Sequence, residues 1–436
     1  MVALSDRVRI VIVGGGVVGC SLAYHLAKRG AGHDVLLLER HRLTAGTTWH
    51  AAGLVGQLRA TENLTRLAQY TTELYRGLEA ETGQPTGFRS TGSLGLATTE
   101  ARFEELRRGA SMARRFGLDV QVLGASEAAK LWPLMEARDL VGAVYLPGDG
   151  YVNPIDVTQA LAKGARMGGA RIEEGVSVSA ILTENGRASG VMTDWGPVRA
   201  EVVVNCAGMW AHSLAASVGV TVPLHAAEHF YVVTETIPDL PANLPVLRDP
   251  DLFTYVKPEP GKLLVGWFET KAKPWGMGGV PADFSFGHLP DDLEHIGPLL
   301  EAASRRLPIL ERTGIRLFFN GPESFTPDDR YLLGEAPELP GFYVAAGFNS
   351  IGIQSAGGAG RVLADWILDG HPPLDLWDVD IRRAMPFQRN ARYLRDRTVE
   401  SLGLLYAVHW PYRQPETSRG VRRSPILDKL AAAGAC

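Results

Sequence analysis

The start of the chain restricts its fold more than any other stretch. An apolar run, Val8 to Val13, turns through Gly14-Gly15-Gly16-Val17-Val18-Gly19 into a helix-forming segment, Cys20 to Arg29. A second apolar strand, Val35 to Leu38, follows and ends on Glu39. Roughly twenty residues separate Gly19 from Glu39, the spacing of a dinucleotide-binding unit. Gly14 allows the tight turn, Gly16 lets the backbone approach a pyrophosphate, and Gly19 lets helix and strand pack closely. The helix start offers unpaired N–H groups and a positive dipole end to the phosphates. Glu39 is placed to accept hydrogen bonds from both hydroxyls of an adenosine ribose. Its charge repels a 2′-phosphate, which leaves FAD or NAD rather than NADP. A glycine-rich turn that binds nothing is the alternative, and the completeness of the unit argues against it.

The segment after Glu39 bears on which dinucleotide is bound. Gly46-Thr47-Thr48-Trp49-His50-Ala51-Ala52-Gly53 is a loop of small residues whose hydroxyls and N–H groups suit close wrapping of a large cofactor. Further on, Val202-Val203-Val204-Asn205-Cys206-Ala207-Gly208 reads as a buried strand ending in a glycine turn, followed by Met209-Trp210. Gly321-Pro322-Glu323-Ser324-Phe325-Thr326-Pro327-Asp328 and Gly334-Glu335-Ala336-Pro337-Glu338-Leu339 precede a strand, Phe342 to Ala346. A second glycine turn, Gly347-Phe348-Asn349-Ser350-Ile351-Gly352-Ile353, then leads into a helix, Ala356 to Leu368. With these motifs the chain resembles the sarcosine and dimethylglycine dehydrogenases, within the FAD-dependent amine oxidoreductases of the D-amino-acid oxidase type. The resemblance covers nearly the whole chain and selects FAD. It implies that His50 is joined covalently to the flavin's dimethylbenzene methyl group, and a neutral imidazole nitrogen is nucleophilic enough for that. The alternative is that His50 only hydrogen-bonds. The resemblance also implies cofactor contacts from Arg40, Thr47, Thr48, Ala51 and Gly53, from Val178, Gly208 and Trp210, and from Gly347, Gly352 and Ile353. The helix after the second glycine turn would direct its positive end at the pyrimidine edge of the flavin.

A chain of 436 residues is too long for one ordinary core and points to two interleaved domains. The expected fold is α/β: a Rossmann-like FAD-binding domain (1–92, 148–224 and 327–386) with an interleaved antiparallel-sheet substrate domain (93–147 and 225–326). Residues 387–436 read as an extension or linker draped over the cofactor domain. Helices are expected over 60–82, 99–117 and from Pro154 to about Met167, and strands at Gly92 to Ala97 and Val176 to Leu182. The stretch 226–326, rich in β-branched and aromatic residues, reads as sheet. A net charge of −4 offers no basic footprint for nucleic acid, and no segment approaches the length of a membrane span. The first strand begins within about seven residues, leaving no room for a signal peptide. Cys20, Cys206 and Cys436 are far apart and read as packing residues in a reduced compartment, the cytoplasm or a mitochondrial matrix, with no metal expected.

By the resemblance, His229 and Tyr255 are the catalytic candidates. A histidine titrates near neutrality, and a tyrosine hydroxyl can orient an amine or relay its proton. Their structural alternatives are a histidine bonded to a backbone carbonyl and a plain aromatic wall; His225 is a weaker candidate for the histidine role. Arg59, just beyond the flavin loop, is the expected carboxylate partner, through a bidentate guanidinium pair. Arg248 is an equal match to the family but has Asp249 beside it, which would pair with it. Trp267 is expected in the wall of the site. The implied activity is oxidative N-demethylation of an N-methylated amino acid, with hydride passing from the N-methyl carbon to flavin. Electrons would then go to oxygen or to an acceptor flavoprotein. Oxidation of a primary or cyclic amino acid and a non-catalytic flavin-binding subunit are the alternatives. Close relatives continue into a half that binds tetrahydrofolate and captures the one-carbon unit. This chain ends where that half would begin, so folate would come only from a partner subunit or a further domain.

Overall fold

A computed structural model describes residues 7–409 and 413–435; Cys436 lies outside them. Ile10–Val13 is buried along its whole length in the middle of a six-stranded sheet. The order is Leu332–Glu335, Phe342–Ala346, Val202–Asn205, Ile10–Val13, Val35–Glu39 and Arg171–Glu174. All neighbours are parallel except the edge strand Leu332–Glu335, which runs antiparallel to Phe342–Ala346. Strands covered on both faces need apolar side chains at every position, which explains the unbroken runs IVIV and VLLL. Ile10 and Ile12 face the helices Val17–Lys28, Glu62–Thr82, Pro154–Met167 and Gly352–Asp369. Val11 and Val13 face the other way, toward a small antiparallel sheet over Val178–Arg199 and the helix Ala211–Ala216.

The first helix begins at Val17, one turn earlier than its composition indicates, because the Thr48 hydroxyl accepts the Val17 N–H at 3.1 Å. A side chain from the loop after Glu39 thereby satisfies a donor at the helix start.

The second sheet has nine strands. It runs from Pro274–Trp275 through His225–Thr234, Lys262–Trp267, Thr254–Glu259 and Val246–Asp249 to Ser93–Ala97, Gly142–Leu146 and Gln121–Leu123, with Ile315–Phe325 also paired to His225–Thr234. It is antiparallel except at one seam, where Val246–Asp249 runs parallel to Ser93–Ala97 and joins the two chain segments. One face packs on Trp132 and on the helix Leu293–Arg306, which interrupts the β-rich stretch and carries Pro298 within it. Arg306 is buried there and reaches across the strands. Its Nε donates to Asp249 Oδ2 at 2.7 Å, and its two terminal nitrogens bond Asp139 at 2.7 and 2.9 Å.

Residues 387–436, expected as an extension or linker, include the helix Ala391–Leu404. It packs on the second sheet, with the Ala272 N–H bonded to the Val399 carbonyl at 3.0 Å. Gly403 makes that fit: a Cβ there would stand 2.7 Å from Thr270 Cα. Leu402 and Tyr406 join Tyr255, Phe268 and Phe325 in one apolar cluster. Among the described residues no helix is long and apolar enough to cross a membrane.

Candidate active site

The turn after Ile10–Val13 opens a cleft with about 1340 Å³ of empty space, counting its mouth. Gly14 has φ +114°, and a Cβ there would lie 2.4 Å from the Cys206 carbonyl oxygen. A Cβ at Gly19 would sit 2.0 Å from the Gly14 carbonyl oxygen, so helix and turn touch backbone to backbone. Gly16 borders the cleft, and a Cβ there would approach Thr48 Oγ1 to 3.1 Å. Glu39 also lines the cleft. Its two oxygens accept the N–H groups of Gly15 at 2.8 Å and His41 at 2.9 Å, which ties the acid to the turn it serves. The Arg40 guanidinium lies 3.9 Å over the Trp210 ring, whose indole N–H is held by the Pro281 carbonyl at 3.0 Å.

Thr47, Thr48, Ala51 and Val178 also line the cleft, as do Gly208, Gly347, Gly352 and Ile353. Gly208, at φ +55°, has nothing within 4 Å of where its Cβ would be, so it presents bare backbone to the space. Asn349 and Ser350 hold left-handed conformations (φ +47° and +60°) where the second glycine turn meets the cleft. Asn349 is buried and locks that turn, accepting the Thr326 N–H at 2.7 Å and donating to the Gly347 carbonyl at 2.7 Å. Two helix starts, an acid in the lining and bare glycine backbone make a cradle that fits an extended flavin dinucleotide. Gly19, His50 and Gly53 lie off the cleft: Gly19 acts in packing, and His50 and Gly53 border a second cavity.

That second cavity, about 570 Å³, adjoins the cleft and shares Ala51, Glu323, Ser350 and Ile353 with it. Strand alternation decides who faces it. On His225–Thr234 the residues His229 and Tyr231 point in, while Phe230 and Val232 point to the opposite face. Tyr255 and Arg248 are directly opposed on neighbouring strands and both line the cavity. His229 and Tyr255 stack with centroids 6.4 Å apart, and Phe268 lies 5.0 Å from His229. Glycines make room for these rings: a Cβ at Gly266 would be 2.2 Å from Tyr255 Cζ, and one at Gly321 would be 2.9 Å from His50 Cε1.

Burial sets the protonation of this cavity. It drives His229 down to about 4 and His50 down to about 3, the latter helped by His229, so both imidazoles are neutral. Tyr255 is pushed well above the usual phenol value by burial, then by Glu323. Among the described residues neither ring nitrogen of His229 has a hydrogen-bond partner, nor has Nε2 of His50. Such atoms are costly unless a ligand meets them. Glu323, named above only as part of a motif, is also buried, and its Oε2 is equally without a partner.

Arg59 and Arg248 exchange places relative to expectation. Arg59 does not line the cavity; its terminal nitrogens donate to the Gly56 and Leu58 carbonyls, both at 2.7 Å. Burial and then nearby Arg248 lower it to about 10. Asp249 does not pair with Arg248, because alternation turns it to the opposite face, where Arg306 holds it. Arg248 forms no ion pair among the described residues, and its Nη1 donates to the Tyr406 hydroxyl at 3.3 Å. Trp267 is not in the wall. It is fully buried on the opposite face, and Phe268 takes the wall position. His225 lines neither cavity.

The parallel sheet with its glycine-lined cleft, the nine-stranded sheet and the adjoining ring-walled cavity define a flavin-dependent oxidoreductase architecture. The chain belongs to the FAD dependent oxidoreductase family, which it matches over residues 9–366, and residues 369–424 match the FAD dependent oxidoreductase central domain. FAD is thus the cofactor the cleft serves. The chain is 43% identical to 4-methylaminobutanoate oxidase (formaldehyde-forming) of Paenarthrobacter nicotinovorans, over 99% of this chain and 52% of that one. It is 40% identical to the mitochondrial sarcosine dehydrogenase of Mus musculus, over 99% and 47%. It is also 39% identical to the mitochondrial pyruvate dehydrogenase phosphatase regulatory subunit of Mus musculus, over 100% and 50%. The chain spans about half the length of these curated relatives.

Proposed function

We propose that the chain carries out FAD-dependent oxidative demethylation of an N-methylated amino acid in the class of sarcosine, dimethylglycine or 4-methylaminobutanoate. The observation that carries the reading is the second cavity, which joins an ion-pair-free guanidinium to neutral aromatic and imidazole walls beside the flavin cleft. Arg248, in place of Arg59, receives the substrate carboxylate through a charge-assisted pair. His229 and Tyr255, both neutral, hold the amine in a dry pocket and orient its N-methyl carbon toward the cleft. Bound FAD supplies the two-electron acceptor. Hydrolysis of the resulting iminium gives formaldehyde and the demethylated amine, or a folate-binding partner or further domain captures the one-carbon unit. The FAD-binding part is 1–92, 148–224 and 327–386, and the substrate part is 93–147 and 225–326.

Anaerobic titration of the purified protein tests this. Sarcosine, dimethylglycine or 4-methylaminobutanoate should bleach the flavin absorbance. Bleaching only by amines without an N-methyl group would move the substrate class. The likeness to a phosphatase regulatory subunit supports a second reading, a flavin-binding subunit without turnover, and bleaching by none of the panel would favour it.

His50 is proposed as the point of covalent attachment, supported by its buried, unpartnered Nε2 in the second cavity, next to Ala51, which lines both spaces. Acid precipitation of the wild type should give a yellow pellet, and His50→Ser a colourless one. A colourless wild-type pellet would refute the linkage.

A further inference from the structure

Among the described residues, Glu323 is the one acid that lines both the cleft and the second cavity. It lies on Ile315–Phe325 opposite Ala227, and the next pair on the same face is Gly321 opposite His229. It is 6% exposed, and its Oε2 meets no donor among the described residues. The groups sharing the second cavity are His50, His229, Tyr231, Tyr255 and Arg248. The two imidazoles are driven neutral and far below the range of an amine, the phenols already hold their protons, and the guanidinium has no lone pair to offer. An amine arriving as its ammonium form has to lose a proton before its lone pair can form a C=N bond. We infer that Glu323 is the catalytic residue that receives the substrate's ammonium group and takes its proton. The inference rests on the demethylase reading and assigns the acid–base group within it.

The placement also gives the substrate a direction. Arg248 borders only the second cavity, whereas Glu323 borders that cavity and the flavin cleft alike. A zwitterion bound between them turns its carboxylate away from the cleft and its nitrogen toward it. The N–H bond breaks, its proton moves to Glu323 Oε2, and its electron pair stays on nitrogen. That pair becomes the second bond of the iminium as the methyl C–H electrons leave to FAD. Burial moves the Glu323 carboxyl up to about 7, opposed by the Ser350 hydroxyl and reinforced by the charge of Glu269, so it changes state in the range where the exchange is useful.

The test uses flavin-absorbance titrations of the holoenzyme with two pairs of non-oxidisable probes. Glycine betaine and 4-(trimethylammonio)butanoate carry a fixed positive charge. (Methylthio)acetate and 4-(methylthio)butanoate copy the shape without it. At pH 8 Glu323→Gln should weaken the cationic member of whichever pair binds by about 10- to 100-fold and leave its thioether partner within about twofold. In the wild type, the ratio of cationic to thioether affinity should rise with pH through about 7. No probe titrates there, and the cavity's histidines and tyrosines change charge well outside that range. A ratio flat from about pH 6 to 8.5, or equal losses for both members in the variant, would overturn the inference while leaving the demethylase reading intact. Wild-type protein that binds neither pair would overturn both. The wild-type pH series decides the matter even if the variant does not fold.

Discussion

Gly19→Val should yield a protein without flavin. A Cβ at this position would lie 2.0 Å from the Gly14 carbonyl oxygen, so the helix Val17–Lys28 has to move away from the turn. The turn cannot yield in its place. Gly14 is itself pressed against the Cys206 backbone and held at φ +114°. The overlap is backbone on backbone, where no rotamer change relieves it, so about 3 kcal/mol or more is expected, at or beyond the upper end of ordinary overpacking. Displacing the helix start also parts the Val17 N–H from Thr48 Oγ1, and with it the loop leading to His50. Flavin absorbance relative to protein absorbance should fall to near zero, and the melting temperature should drop by on the order of 5 °C or more. Gly77→Ala is the matched control. It lies in the helix Glu62–Thr82 with nothing within 4 Å of its Cβ, and should keep full flavin and equal or slightly higher stability. Normal flavin content in Gly19→Val would mean that the turn is not the phosphate cradle.

What was legible from residue order alone was what is local. The glycine turn, Glu39 and the helix between them fall within one strand–helix–strand unit, so spacing suffices to assign each a task. The same holds for the second glycine turn at Gly347 to Gly352. The site facing the substrate was less legible because its geometry is set by register between distant strands. Whether Arg248 is committed to Asp249 depends on Arg306, on a helix inside a stretch that reads as sheet. Whether Trp267 or Phe268 faces the cavity depends on the pairing of Tyr255 with Gly266. Tyr406 reaches Arg248 only because Gly403 lets the C-terminal helix lie against Thr270. Glu323 stands in a recognisable motif, but nothing short of the packed sheet shows that its carboxyl is buried between two cavities. Composition does mark one part of the site. Gly266 and Gly321 interrupt strands otherwise rich in large residues, and each leaves space that a ring fills.

The assignment of the carboxylate anchor predicts opposite behaviour for two neighbouring arginines. Arg248→Met should raise the KM for an N-methyl amino acid by about 10²- to 4 × 10³-fold, since removing one partner of a buried ion pair costs roughly 3–5 kcal/mol. A substrate carboxylate entering that cavity would meet no other described cation, because Lys257 is held by Glu259 at 2.7 Å and Arg59 is bonded to backbone carbonyls. Oxidation of an N-methyl amine that lacks the carboxylate should change little, which separates loss of the anchor from general damage to the pocket. Arg248→Lys should recover only part of the loss, as a point charge cannot reproduce the bidentate fork. Arg59→Met should act on the fold instead. It frees the carbonyls of Gly56 and Leu58, and should lower the melting temperature while leaving KM within a few-fold of wild type. Kinetics and melting curves on the two variants therefore decide the assignment. A KM defect that follows Arg59 and spares Arg248 would return the anchor to Arg59. A KM defect in Arg248→Met that is equally large for the carboxylate-free amine would mean that Arg248 and Tyr406 shape the cavity without holding the substrate's charge.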